Sequence, residues 1–566
     1  KIPGVTINPT GGTSGTGSSI NIRGYSTLTG SSQPLWVVDG VPFNSATNSG
    51  SGFTSGGSAV ATSRFLDIDP NNIENITVLK GLAATVLYGD QGRNGVILVT
   101  TKGGSTKKRE SEISLQQSLS YTEIASLPEF QNNYGNGFQG LYGPFFSNWG
   151  PNFAEIDSVG HPYQFLSDPG LRSAYPKYYF NRYPYEAQPN VGGFFRRGLV
   201  SNTSLNVAGG SDKLGYNAAV SYTNEQGFLP GNDLKRINIS TGFNAAVNDK
   251  ITIKYSLQLA NTDMQTPPLN GATGGGGAFS GVPSIYANML YTPRSVDVLN
   301  WPYETPADKR SIFFRGGNDI PNPLWMYRNF RETSFTNRFF NSANISYDFN
   351  DAVSLSVNKQ ISPSIKIFAR AGANARNDYT KTDGVYSEGQ VVYGLMRHSN
   401  FSSASSRSVA FSGSPLYGTF EQQRYGAYAD ISTDYKGFFI VNLAGRKDWV
   451  SNLEKGNNTR FYPSASVAFI PTDAFSGLKS NVLRYLKFRA GYGTSAGYGS
   501  LYSTRSTVGQ NLRGFADVAG TIYGTHSIGD LLGNAKLRPE LQEELEAGFE
   551  TKLFSDRIGI DFTVYN

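Results

Sequence analysis

Residues 493–497, GTSAG, have the glycine-x-serine-x-glycine spacing with which a hydrolase exposes a nucleophilic serine on a sharp strand-to-helix turn. That chemistry also needs a helix after the turn and histidine and acid partners. Here a strand-like run precedes Ser495 and YGSLYSTRS, which is no helix, follows it, so the motif reads as a strand-end turn. The three histidines, His161, His398 and His526, sit in separate loops without ligand spacing. There is no cysteine, which removes thiolate nucleophiles, disulfides and thiolate metal sites. Neither a phosphate-cradling glycine loop nor a calcium-loop pattern is present. The expectation is a chain with no enzyme activity, no metal and no cofactor.

Non-covalent chemistry remains. The stretches NNYGNGFQGLYGPFFSNWGPNF (132–153) and NPLWMYRNF (322–330) concentrate rings whose flat faces suit a sugar or a peptide side chain. Tyr142, Phe145, Trp149 and Trp325 are the candidates for contact with a ligand or a lid protein. The alternative is that such rings pack loop against loop. GATGGGGAF (271–279) reads as a flexible loop segment.

The elements that must carry these residues come in two styles. Residues 1–106 mix short apolar runs (SINIRG, PLWVVDGVPF, ITVLKG, GVILVTT) with glycine-rich connections, which predicts a small α+β unit around a covered mixed sheet. Within it, 73–79 and 96–101 read as extended and 81–88 as a turn or short helix. From Glu112 onward the chain alternates with period two. In LGYNAAVSYT, Tyr216, Ala218, Val220 and Tyr222 share one face and Asn217, Ala219, Ser221 and Thr223 the other. RINISTGFNAAV, KITIKYSLQLA, RYGAYADISTDY, YLKFRAGYGT and ELEAGFETKLF repeat the pattern, giving about fourteen strands of roughly ten residues.

A soluble sandwich alternates too, but it turns its apolar face inward and a charged face outward. Here only 16% of residues are charged, 13% are aromatic, and the polar face is Asn, Ser, Gly and Thr, with Tyr or Phe near strand ends. That composition predicts an all-β membrane protein, a large antiparallel barrel with apolar residues toward lipid and a polar lumen. Closure satisfies every backbone group, as hydrocarbon demands. No run of roughly 18 apolar residues is present, so no membrane-spanning helix is expected. Connections alternate between tight turns (248–250, 436–437) and long aromatic loops (127–197, 265–332, 379–421); the long ones are expected to be extracellular. The net charge of +6 is the difference between 49 cations and 43 anions dispersed along the chain; with Lys107, Lys108 and Arg109 as a solvated linker, no nucleic-acid partner is expected.

SINIRGYSTLTGSSQPLWVVDGVPF and NNIENITVLKGLAATVLYGDQGRNGVILVTTKGG resemble the plug of SusC/RagA-type TonB-dependent outer-membrane transporters, and KIPGVTI resembles the entry to that plug. Downstream, RRGLVSNTSLNVAGG, YGAYADISTDYKGFFIVNLAGRKDW, RFYPSASVAF, YLKFRAGYGTSAG and NAKLRPELQEELEAGFETKLF follow in the family's order. The familiar plug pattern has Asp after the lysine and Ser-Arg after the glycine; Gly81, Asp90 and Gln91 stand there instead. The resemblance implies a 22-stranded barrel of the bacterial outer membrane filled by an N-terminal plug, with residues 1–106 as plug and 107–566 as barrel. It also implies membrane lipid around the barrel, a SusD-like surface lipoprotein over the mouth, a TonB complex pulling from the periplasm, and uptake of an oligosaccharide or peptide ligand. The alternative is a structural subunit of a larger complex with other outer-membrane assembly proteins. Because the chain starts in mid-pattern and stops in mid-strand, it is expected to be a portion of a longer mature protein, its signal peptide gone.

The family's plug cations commonly face acidic residues on the wall, and the matching positions here are Arg23 in INIRGY and Lys80 in TVLKGL, with Glu540 and Glu546 in RPELQEELEAGFE. Strand parity sends Leu545, Ala547 and Phe549 to lipid and Glu546 and Glu550 to the lumen; Glu540 and Glu544 share that parity. The expectation is a plug–barrel lock in which Arg23 or Lys80 reaches Glu546 or a neighbouring glutamate.

Overall fold

The computed structural model describes residues 2–9, 13–15, 18–25, 32–43, 68–81, 86–102, 109–145, 147–166, 169–179, 181–248, 251–267, 285–314, 321–329, 331–347, 356–362, 364–405, 418–518, 521–528 and 532–566. The glycine-rich segment 271–279, Lys107 and Lys108, and two residues of the 248–250 turn lie outside them.

The N-terminal unit opens with an antiparallel pair, β1 (Val5–Pro9) and β2 (Ser18–Ile22). A four-stranded sheet follows from β3 (Leu35–Val38), β4 (Val41–Phe43), β5 (Ile73–Leu79) and β6 (Val96–Thr101), in the order β4-β3-β6-β5. β3 and β6 run parallel and the other pairs antiparallel, a mixed sheet as its double-sided apolar strands predict. Ile20, Ile22, Val38, Phe43, Ile97 and Val99 form its core. Where a turn or short helix is expected before β6, the structure has two 3-10 turns over Val86–Asn94 joined at Gly89. Gly89 has φ 67° and ψ −147°, outside helical space, so a continuous helix cannot form there.

The second style forms two antiparallel sheets in chain order. One has six strands: β7 (Arg109–Thr122), β8 (Gly198–Gly210), β9 (Leu214–Gln226), β10 (Asp233–Ala246), β11 (Ile251–Thr266) and β12 (Glu332–Tyr347). The other has eight: β13 (Ser356–Ser362), β14 (Ile365–Thr382), β15 (Gly418–Tyr435), β16 (Phe439–Val450), β17 (Thr459–Phe469), β18 (Leu483–Gly497), β19 (Glu540–Leu553) and β20 (Ile558–Tyr565). Many exceed the expected ten residues, up to 18 in β14 and β15. Their hydrogen-bonded ladder runs past the bilayer thickness into polar surroundings, where Thr380 still pairs with Phe420 and Thr382 with Gly418.

These strands are inside out relative to a soluble protein. Val220, Tyr222, Ile237 and Ile239 are exposed, while Asn217, Ser221, Asn238 and Ser240 are buried. Burying the polar face while the apolar face stays open makes sense only if hydrocarbon covers the latter. Tyr435 and Phe439 near the short turns, and Tyr379 and Phe420 toward the long loops, supply outward rings at both rims. Residues 493–497 are the closing run of β18 rather than a turn after it, because pairing with 540–544 continues through Gly497.

Candidate functional site

β2 aims its last residues at the wall. Arg23 follows Ile22 with φ 59°, a left-handed conformation that is costly for a residue with a side chain, and Gly24 continues at φ 94°. The Arg23 amide donates to the Gly4 carbonyl at 2.8 Å, which fixes the turn. Its guanidinium then lies between two wall carboxylates on β19, with Nη1 on Glu544 and Nη2 2.6 Å from Glu546 Oε2. Residues two apart on a strand share a face about 7 Å apart, and a planar five-donor fork can bridge that span where an ammonium cannot. The Tyr565 ring covers the guanidinium at 4.5 Å. The three charged side chains are 11–20% exposed, so the pair is largely withdrawn from water.

The other residues expected in this contact divide. Lys80 is half-buried and makes no ion pair among the described residues. Glu540 faces Arg93 at 3.6 Å rather than Arg23 or Lys80. The reason is reach: six residues along a strand separate Glu540 from Glu546 by about 20 Å, too far for one plug cation. Gly81, the departure from the family pattern, has a physical reading. A Cβ built there would lie 3.1 Å from both Glu546 carboxylate oxygens, so an aspartate would set a second anion against Glu546.

A further plug–wall contact, not anticipated from sequence, forms at the 3-10 turns. Asp90 accepts from Arg424 of β15 at 2.8 Å, and the Asp90 amide donates to Asp448 of β16 at 3.3 Å. Asp448 also holds Arg446 at 2.7 Å, and Arg446 reaches Asn374 of β14 at 2.8 Å. Arg376 donates to Gln91 at 3.4 Å. At Gly89 a Cβ would stand 2.2 Å from Asp448 Oδ2, so the backbone docks on the wall only as glycine. The available signal was a set of charges at lumen-facing parity in RYGAY and GRKDW, together with the departures at Asp90 and Gln91.

The long loops share one apolar core in which Tyr163, Leu171, Tyr179, Phe194 and residues from 285–326 pack together. His161 is buried in it among Tyr163, Tyr178, Tyr183 and Trp301, and its Nδ1 accepts from the Tyr163 amide at 3.1 Å. Burial pushes its pKa down to about 3, so the ring is neutral. Two of the four aromatic candidates serve this packing. Tyr142 donates to the Gly160 carbonyl at 2.6 Å, its pKa pushed up to about 12 by burial, and Trp325 donates to the Lys309 carbonyl at 2.7 Å. Phe145 and Trp149 remain 47% and 56% exposed, clustered on Phe138 at 5.8 and 4.8 Å.

Residues 1–96 match the family model for the TonB-dependent receptor plug domain. Across 100% of its length the chain is 24% identical to TonB-dependent receptor P26 of Formosa agariphila, of which it covers 55%. It is 24% identical to the TonB-dependent receptor SusC of Bacteroides thetaiotaomicron over 70% of its length and 34% of that protein. The chain spans about half the length of the Formosa agariphila relatives P26 and P3. The structure of the RagAB peptide transporter superposes with a TM-score of 0.67 at 17% identity, over 100% of this chain and 64% of that one. That likeness shows the fold: an antiparallel β-barrel with a plug in its lumen. The relatives P26, P3 and SusC each carry the name TonB-dependent receptor. The plug-domain match over residues 1–96, the similarity to P26 and SusC and the likeness to the RagAB fold together support a SusC/RagA-type TonB-dependent receptor.

Proposed function

We propose that the chain imports a nutrient across the outer membrane: a ligand is captured at the long loops, and TonB then rearranges the plug within the barrel. In this reading residues 1–106 are the plug, residues 107–566 the barrel, and Arg23 with Glu546 and Glu544 the tie that holds the plug to the wall. The observation that carries it is the buried guanidinium between Glu544 and Glu546. Two carboxylates held on one strand face against a plug cation give a contact that is costly to break and so fixes the plug to this part of the wall. The ligand is an oligosaccharide or oligopeptide, since Phe138, Phe145 and Trp149 present exposed rings for stacking either. A SusD-like lipoprotein covers the long loops. Purification of the native complex tests this. A SusD-type partner with bound nutrient supports import, whereas stoichiometric assembly factors without one would replace it with a scaffold role.

A further inference from the structure

The plug contacts the two wall sheets with different chemistry. Every plug–wall ion pair among the described residues goes to the eight-stranded sheet: Arg23 to Glu544 and Glu546, Asp90 to Arg424, and Arg93 to Glu540. Toward the six-stranded sheet, Asn217 donates to Asn72 at 2.9 Å and Ser342 to the Asp39 carbonyl at 3.4 Å. Phe43 meets Phe340 edge-on at 5.7 Å, with the Arg338 guanidinium 5.0 Å over its ring.

A cleft of about 420 Å³ opens between plug and wall on this second side, lined by Asp39 and Thr101 of the plug and by Asn244, Lys254, Ser256 and Ser342. It lies near the short-turn ends of β10 and β11. Above it the register stacks the pairs Asn244–Lys254, Gly242–Ser256, Ser240–Gln258 and Asn238–Ala260. Asn238, Ser240, Ser256 and Gln258 are each more than nine-tenths buried. Yet Asn238 Oδ1, Ser240 Oγ, Ser256 Oγ and Gln258 Nε2 find no protein partner. A buried hydroxyl or amide without a partner costs about 1–3 kcal/mol, so a column of them marks a surface built to meet something that hydrogen-bonds. From Asn244 to Asn238 the column spans six residues, about 20 Å of wall.

We propose that the plug stays anchored by charge to the eight-stranded sheet and parts from β10–β12, and that the polar column there is the path of an uncharged, hydroxyl- or amide-rich solute. The anchors set the side. Separating Asp90 from Arg424 or Arg23 from its two glutamates exposes unpaired charges, whereas the seam holds no plug–wall ion pair among the described residues, so separating it exchanges hydrogen bonds and ring contacts for those of water or solute. Among the described residues the wall side of the cleft carries one charge, Lys254, and the column from Ser256 and Gly242 to Asn238 carries none, so this stretch of wall meets a solute by hydrogen bonding. The inference rests on the import reading.

Residues 1–566 contain no cysteine, so each single-cysteine variant adds one thiol to this part of the protein and is read against the unsubstituted protein. Ser240→Cys and Ser256→Cys probe the seam, and Ser495→Cys, buried on β18 and cross-strand from Gln542, probes the other wall. Each is reacted in whole cells with a small membrane-impermeant maleimide, with TonB functional or deleted. The expected result is labelling of Ser240→Cys and Ser256→Cys about tenfold faster with functional TonB, with Ser495→Cys unchanged, as local opening of one seam requires. A response at Ser495→Cys while both seam positions stay silent, or an equal response at all three, overturns the one-sided path and leaves import standing. No TonB-dependent response anywhere overturns both.

Discussion

Replacing Arg23 with alanine leaves Glu544 and Glu546 facing the plug with no cation between them. Two carboxylates about 7 Å apart repel by about 2 kcal/mol at an effective dielectric of about 20. Removing one partner of a buried ion pair costs about 3–5 kcal/mol in general. Here the three side chains keep 11–20% of their surface in solvent, which favours the lower end, so about 3 kcal/mol is expected. Alanine pays the same left-handed backbone cost as arginine at this φ of 59°, so the substitution isolates the side chain. The assay is hydrogen exchange of the β1–β2 amides in the whole protein. A loss of about 3 kcal/mol should speed exchange on the order of 10²-fold if these amides open with the plug. Arg23→Lys should fall between, because one ammonium cannot span both carboxylates. Adding Glu544→Gln and Glu546→Gln to Arg23→Ala should recover part of the protection by removing the repulsion. Exchange within about twofold of wild type in Arg23→Ala would show that the guanidinium does not hold the plug to the wall.

Four other outcomes follow. Gly89→Ala forces a Cβ to 2.2 Å from Asp448 Oδ2 at φ 67° and should release the 86–94 turns by about 2–4 kcal/mol, read as lost exchange protection confined to that segment. A double-mutant cycle of Asp90→Asn and Arg424→Gln should give a coupling of about 1–2 kcal/mol; additive singles would show the pair idle. His161 is held neutral at a folded pKa of about 3 against an ordinary value of about 6.5, so its contribution is complete above about pH 6.5 and declines as pH falls. At pH 5 the loop core should have lost about 2 kcal/mol, seen as faster exchange around Trp301 and abolished in His161→Phe. Trp149→Ala should weaken ligand or lid binding by about 1–3 kcal/mol without changing plug exchange.

Period and parity made the wall legible. The alternation in β9, β10 and β19 assigns each residue a face, and the structure puts Asn217, Ser240 and Glu544 inward and Val220, Ile239 and Leu545 outward as that pattern requires. The partners across the plug–wall gap were less legible. Parity says that Arg424, Asp448 and Glu546 point inward, but not at what height a plug residue more than 300 positions away meets them. Hence Lys80, named by motif position, makes no ion pair among the described residues and Glu540 meets Arg93 in place of Arg23, whereas Asp90 and Arg93 join the plug–wall contact without a motif to announce them. The aromatic loops show the same limit. Composition alone does not separate Tyr142 and Trp325, whose polar atoms are used within the loops, from Phe145 and Trp149, which stay open.

The central claim, energised import, is tested by uptake into cells that carry the whole receptor, with TonB functional or deleted. The probes are a labelled pool of mixed oligosaccharides and a labelled pool of mixed oligopeptides. One pool should accumulate when both receptor and TonB are present, and loss of either should reduce it to background. Equal accumulation with and without TonB, or none of either pool in cells whose receptor is folded in the outer membrane, would contradict it.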